Sequence, residues 1–190
     1  MKTMHSICLL VGTCALVGAT HAANLVGNPD FDSGLEGWTL ASASGPGTFT
    51  VDTATGAPSA PSIHLVPDPA TAFGIAVQSN CIAIDTSQNV DLLFNMKATS
   101  GWGYANVDAY SDASCGTLLS ALGTPAYGAN GQWGPYSLPN AALPAGTHSA
   151  RVVLVSSMGS LGSPGDAHFD HIAFGPTGST PVTLQTFDID

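Results

Sequence analysis

The residues best able to do chemistry lie between Trp102 and Tyr110, in the stretch WGYANVDAY. Trp102, Tyr104, Asn106, Asp108 and Tyr110 alternate with the small apolar Gly103, Ala105, Val107 and Ala109. A period of two is that of a β-strand with one face buried and the other exposed. The exposed face then carries three aromatic rings interleaved with an amide and a carboxylate. Flat rings with hydrogen-bonding groups between them suit a ligand with apolar C–H faces and a rim of hydroxyls, as a sugar ring has. The plainer alternative is an outer strand whose aromatics pack beneath a neighbouring loop.

Other chemistries are poorly provided for. A glycosidase normally needs two carboxylates flanking the bond it cleaves. The only glutamate is Glu36, and Asp91 is the one acid the strand pattern could bring beside Asp108. The segment Gly159–Asp166, GSLGSPGD, is turn-rich and lacks the Gly-x-Ser-x-Gly elbow of a serine hydrolase. His64, His148, His168 and His171 are scattered along the chain. His168 and Asp170 share one strand face, and with a further histidine they would offer donors of the kind zinc takes. The reading is therefore of a protein that is not an enzyme.

These residues need strands to position them, and the chain supplies strands throughout. Thr48–Asp52, Ser62–Val66, Phe73–Gln78, Ile82–Ile84, Gln132–Leu138, His148–Ser156 and His168–Phe174 all read as short strands between Gly, Pro and Ser turns. Asn24–Val26 reads as a short first strand and Pro181–Asp188 as an edge strand beyond the Gly175–Gly178 hinge. Phe31 and Trp38 are the apolar anchors of a turn-rich loop, Asn28–Trp38. Val90–Ala98 is the clearest core strand, with Val90, Leu92, Phe94 and Met96 on one face and Asp91, Asn95 and Lys97 on the other. The short Thr99–Gly101 link to Trp102 predicts an antiparallel hairpin. That hairpin would set Asn95 beside the aromatic stripe. Arg151, facing out from the His148–Ser156 strand, would join it.

Composition bounds the class. The chain has 190 residues and a formal net charge of −10. Its start, Met1-Lys2 followed by an apolar run to Val17 and small residues at Ala22-Ala23, reads as a secretory signal over residues 1–22. The apolar run is too short to span a bilayer. Residues 23–175 then form one domain and residues 176–190 a tail. Without the leader, Lys97 and Arg151 are the only strong cations against 13 acids. Nucleic acids and anionic membranes both need basic patches, so neither is an expected partner. Glu, Lys and Gln are scarce and Gly, Ser, Thr and Pro abundant, as in secreted all-β proteins. Cys81 and Cys115 remain after the leader, and an oxidising compartment should pair them. A bridge closing a loop of about 35 residues would stabilise the fold by roughly 3–4 kcal/mol.

Five motifs in order carry a family resemblance: NLVGNPDFDSGLEGW near the start, Cys81-Ile82-Ala83 before NVDLLFNMKA, YSDASCGTLL around Cys115, QWGPYS around Trp133, and FDHIAF at Phe169–Phe174. Together they resemble carbohydrate-binding modules of families four and nine, over most of residues 24–175. The resemblance implies a galactose-binding-like jelly-roll β-sandwich of two antiparallel sheets, with structural roles for Trp38 and Trp133. It also implies a calcium ion where the chain ends meet. Asp32 stands where the family usually has Glu, and Asp170 takes the first Asp of the closing pair, the second being His171 here. Hard cations take carboxylate and backbone oxygens. The expected function is a secreted, extracellular or periplasmic, carbohydrate-binding protein. Its ligand residues would be Trp102, Tyr104, Asn106, Asp108, Tyr110, Asn95 and Arg151, and a separate glycoside-degrading enzyme or cell-surface component its partner. The competing expectation is a structural or adhesion domain of the cell surface that has no sugar site.

Overall fold

The computed structural model describes residues 24–42, 44–70, 73–85, 88–158 and 164–179. The expected leader, the expected C-terminal edge strand and residues 159–163 of the GSLGSPGD segment lie outside these residues. Twelve strands follow one another, with no helix among the described residues: β1 (Trp38–Leu40), β2 (Gly47–Asp52), β3 (Ser62–Pro67), β4 (Gly74–Ser79), β5 (Ile82–Ala83), β6 (Val90–Ser100), β7 (Trp102–Tyr110), β8 (Leu118–Gly123), β9 (Tyr127–Gly128), β10 (Gly134–Ala141), β11 (Ser149–Ser157) and β12 (Asp166–Pro176). The described residues are all-β, the class expected from the composition.

The strands form two antiparallel sheets. One has the order β1-β4-β11-β7-β8, with β5 added to β11 and β9 to β7; the other has the order β10-β6-β12-β3-β2. β3, β4, β6 and β7 alternate, β11 and β12 are buried along nearly their whole length, and the apolar faces of the two sheets close on each other. Ile75, Val77, Val107, Val152 and Leu154 from the first sheet meet Ile63, Leu65, Leu92, Phe94, Met96, Phe169 and Phe174 from the second in one buried cluster.

The link between β6 and β7 differs from expectation. The two strands do not pair: β6 lies between β10 and β12, and β7 between β11 and β8. Gly101, at φ 67°, carries the chain from one sheet to the other. Both apolar sets are buried, but across the sandwich from each other rather than side by side. A Cβ added at Gly103 would lie 2.3 Å from the Met96 Sδ, so the two strands meet face to face. Alternation cannot separate these arrangements, because a hairpin and a sheet-to-sheet corner bury the same residues. Asp91, Asn95 and Lys97 therefore stand on the outer side of the opposite sheet from the aromatic stripe.

The N-terminal segment Asn24–Val26 is not a strand, yet it lies along β12. The Leu25 amide donates to the Phe174 carbonyl at 2.8 Å, and the Asn24 side chain bonds the Ile172 carbonyl and the Phe174 amide. In the following loop Asn28 supplies the turn: its Oδ1 accepts from the Ser33 amide and its Nδ2 donates to the Gly34 and Glu36 carbonyls. Phe31 and Trp38 are buried with ring centroids 5.3 Å apart, and the Trp38 Nε1 donates to the Asn28 carbonyl. The anchor roles read from the sequence are those observed. A disulfide joins Cys81, just after β4, to Cys115 in the β7–β8 turn. No described helix is long and apolar enough to cross a membrane.

Candidate functional site

The outer face of the β1-β4-β11-β7-β8 sheet is a groove. Its volume is about 660 Å³. Strand register builds the floor: Arg151 lies opposite Asp108, Val153 opposite Asn106, and Val155 opposite Tyr104. On the far side of β11, Gln78 pairs with Val153 and Ala76 with Val155. Beyond β7, Ala121 pairs with Asp108 and Gly123 with Asn106. At Gly123 a Cβ would sit 2.5 Å from the Asn106 Oδ1, so a side chain there would push the Asn106 amide aside. The floor is thus a grid in which small aliphatic side chains lie among an amide pair, two phenols and one opposite-charge pair. Phe73 stands at one rim and Leu118 at the other, 75% and 53% exposed.

The electrostatics of the floor follow from its half-burial. Burial pushes the Asp108 carboxyl up from its ordinary value, and the Arg151 guanidinium opposite holds it back down. Burial also raises Tyr104. Tyr110 is raised by burial first, then by the Asp108 charge, against the pull of Arg151. The guanidinium is oriented by donating from Nη1 to the Ser79 carbonyl at 3.1 Å. Gln78, Tyr104 and Asn106 make no side-chain hydrogen bond to another described residue. Their donors and acceptors are free for a ligand, and the aliphatic floor beside them is a surface on which C–H groups can rest.

Of the ligand residues read from the sequence, Tyr104, Asn106, Asp108, Tyr110 and Arg151 come together in this groove. Tyr110 is nearly covered, at 8% exposure, while Tyr104, Asn106 and Asp108 are half-buried. Trp102 is 39% exposed but lies outside the groove lining, with its ring over Gly128 of β9. Asn95 is not in the groove, as a consequence of the β6–β7 corner. Its Nδ2 donates to the Ala57 carbonyl at 2.7 Å, anchoring the 53–61 loop on the opposite sheet. Asp91 likewise faces elsewhere, accepting from the Asn140 and Gly178 amides and the Thr177 hydroxyl. Phe73, Gln78 and Leu118 were not singled out in the sequence. The alternation of GIAVQS does place Ala76 and Gln78 on one face, and that was the signal available.

The residues expected to bind calcium are placed as follows. Asp170 is 1% exposed; its Oδ2 accepts from the Ala57 amide and its Oδ1 from the His171 amide, both at 2.7 Å. Burial pushes its carboxyl up to about 7, against the two amide bonds; Asp30 nearby adds to the rise. A carboxylate offers about four lone-pair positions, so two remain after these bonds. A buried carboxylate short of positive charge fits a hard cation. Asp32 is exposed in the Asn28–Trp38 loop. His171, at φ 52° in a bulge of β12, turns away and pairs through Nδ1 with Asp30 at 2.8 Å. Trp133 packs outside the sandwich core: its ring edge meets His168 and its Nε1 donates to the Thr55 hydroxyl.

No family model and no curated protein matches the chain. Solved structures do. The enzymatically active domain of tailspike protein 4 from bacteriophage CBA120 is similar at TM-score 0.64 and 16% identity, covering 80% of this chain and 21% of the tailspike. An arabinose-bound α-L-arabinofuranosidase, MgGH51, is similar at TM-score 0.58 and 17% identity, over 82% of this chain and 26% of the enzyme. The chain thus spans about a fifth and a quarter of those two proteins. A family 16 carbohydrate-binding module is similar over nearly its whole length: TM-score 0.56, 14% identity, 80% of this chain and 99% of the module. So is the C-terminal family 22 carbohydrate-binding module of Clostridium thermocellum Xyn10B, with TM-score 0.55, 14% identity and coverage of 83% and 96%. At these identities the likeness is one of fold, and the β-sandwich is one that carbohydrate-binding modules of several families share.

Proposed function

We propose that this is a secreted, non-catalytic carbohydrate-binding protein that takes a poly- or oligosaccharide in the groove of the β7–β11 sheet. The observation that carries the reading is the groove floor, where Tyr104, Asn106, Asp108, Gln78 and Arg151 lie beside Ala76, Ala121, Val153 and Val155. Sugars present both surfaces at once, apolar faces and hydroxyl rims. Among the described residues, the lining holds one carboxylate, Asp108, whereas hydrolysis would need two. The fold shared with carbohydrate-binding modules supports the same reading, and the family four and nine motifs point in the same direction. A separate glycoside-degrading enzyme or a cell-surface component would be the partner that gives such binding a use.

The test is retention on polysaccharide gels, with insoluble-polysaccharide pulldown and a glycan array for breadth. Tyr104→Ala should cut affinity about tenfold or more, a loss of about 1.4 kcal/mol or more. Its melting temperature should stay close to that of the unsubstituted chain. Trp102→Ala, outside the lining, should have the smaller effect. Failure to bind any sugar would overturn the reading and leave the structural or adhesion role in its place.

We further propose a structural calcium ion held by Asp170 and Asp32 where the N-terminal loop meets β12. It would supply the positive charge that buried Asp170 lacks. EDTA should lower the melting temperature and added calcium restore it. An unchanged melt, with no metal by elemental analysis, would remove the ion.

A further inference from the structure

A second group of side chains on the opposite sheet has no part in the groove. His64 on β3 and His168 on β12 sit directly opposite each other in the sheet register. Asp166 lies two residues before His168 and so reaches the same outer face. The His64 Nε2 is 3.0 Å from the Asp166 Oδ1, and the His168 Nε2 is 3.7 Å from that same oxygen. One donor atom from each of the three falls within 4.8 Å of the others. On the far side of the His168 ring, Nδ1 is 3.7 Å from Asp52 Oδ2 and 3.5 Å from the Ser62 hydroxyl.

We propose that His64, Asp166 and His168 form a binding site for a divalent transition metal of the zinc class. Bonds of about 2.0–2.2 Å from a four-coordinate zinc place its ligands about 3.4 Å apart, and the two observed spacings bracket that value. Two imidazole nitrogens and one carboxylate oxygen suit a borderline-soft ion and would not satisfy calcium, which wants six or more oxygens. Ser62, at the limit of hydrogen-bond distance, and Asp52 just beyond it flank the second ring nitrogen of His168, where metal-binding histidines usually have a hydroxyl or carboxylate that fixes the ring. The site is reachable: the His64 and Asp166 side chains are 27% and 32% exposed, while that of His168, at 7%, is fixed. Water would fill the fourth position.

Two features resist the ion and define what it must do. The His64 and His168 rings are stacked, 4.1 Å apart and 4° from parallel. Their lone pairs run side by side, so coordination requires the His64 ring to tilt out of parallel while its Nε2 stays beside Asp166, and its partial exposure permits this. Lys97, opposite His168 on β6, is a competing positive charge, but its ammonium sits over the Trp133 ring, 5.8 Å from the centroid. A bound ion would replace the hydrogen bond between His64 and Asp166 and tie β3 to β12 through side chains.

The experiment is calorimetric titration of Zn²⁺ into untagged, chelator-stripped protein, with Co²⁺ as a spectroscopic substitute. One zinc should bind per chain, and the cobalt form should show the visible bands of four-coordinate nitrogen and oxygen ligation. His64→Ala and Asp166→Ala should each weaken binding at least tenfold. Asp52→Asn should weaken it about ten- to a hundredfold by loosening His168. His148→Ala should bind as the unsubstituted chain does. Each variant's melt, taken without metal, shows that it is folded. Absence of zinc binding, or binding unchanged in both His64→Ala and Asp166→Ala, would overturn the site.

Discussion

Asp108 and Arg151 are the two charges on the groove floor, and each sets the behaviour of the other. Arg151→Ala removes the pull that opposes burial, so the Asp108 carboxyl should titrate higher than in the unsubstituted chain, measurable by carboxyl chemical shifts across a pH series. The same variant should bind sugar more weakly, because a planar, fixed guanidinium is a strong donor to hydroxyl and ring oxygens. Asn95 gives the opposite expectation. Asn95→Ala should leave sugar binding unchanged yet cost about 1–3 kcal/mol of stability in denaturant unfolding, because it strands the Ala57 carbonyl under its loop. From sequence, both residues were polar positions on outward faces of strands. Arg151 lies in the groove because its outward position is set by the alternation of its own strand. Asn95 was misplaced because its assignment depended on which sheet its strand joined, and nothing local to Asn95 encodes that.

At the scale of elements, a period of two identifies a strand and its faces but is silent about its neighbour. That is why the burial of Gly103, Ala105, Val107 and Ala109 agrees with expectation while the partner of β7 does not. Strand β8 was not read as a strand, because LLSALG is an edge segment whose Leu118 and Leu119 stay exposed. The groove rims were illegible for a similar reason: Phe73 and Leu118 come from segments far apart in the chain that only the folded sheet brings together. The β6–β7 corner is itself testable. Gly103→Ala should destabilise the protein by about 1–3 kcal/mol, since its methyl group would drive into the Met96 thioether. Shortening Met96 to Ala in the same chain should return part of that loss, because the added methyl and the thioether compete for one space.

For the whole molecule, two buried groups on β12 make stability depend on pH in opposing ways. Burial, with His64 and Lys97 nearby, lowers His168 to about 4. Between there and its ordinary 6.5 the unfolded chain takes up a proton that the folded chain refuses, so stability rises with pH through that window. Asp170, raised to about 7, holds a proton that the unfolded chain has already released above about 4, so its contribution falls as pH rises. With chelator present, the unsubstituted protein should show a nearly flat unfolding midpoint from pH 4 to 6.5. His168→Gln should turn the profile downward with rising pH, and Asp170→Asn should turn it upward. Replacing Cys81 and Cys115 by serine should cost about 3–4 kcal/mol overall. The position of β12 has a consequence for the order of assembly. It lies between β6 and β3 at the centre of its sheet, although it is the last described strand, and Leu25 near the start of the described chain bonds to it. Until residues 166–176 are available, β3 and β6 have no neighbour to join them and half of the core has no floor. A growing chain therefore cannot close the sandwich in stages. Folding must wait for β12 and then proceed as one event, so any truncation that removes it should give an unfolded chain by circular dichroism.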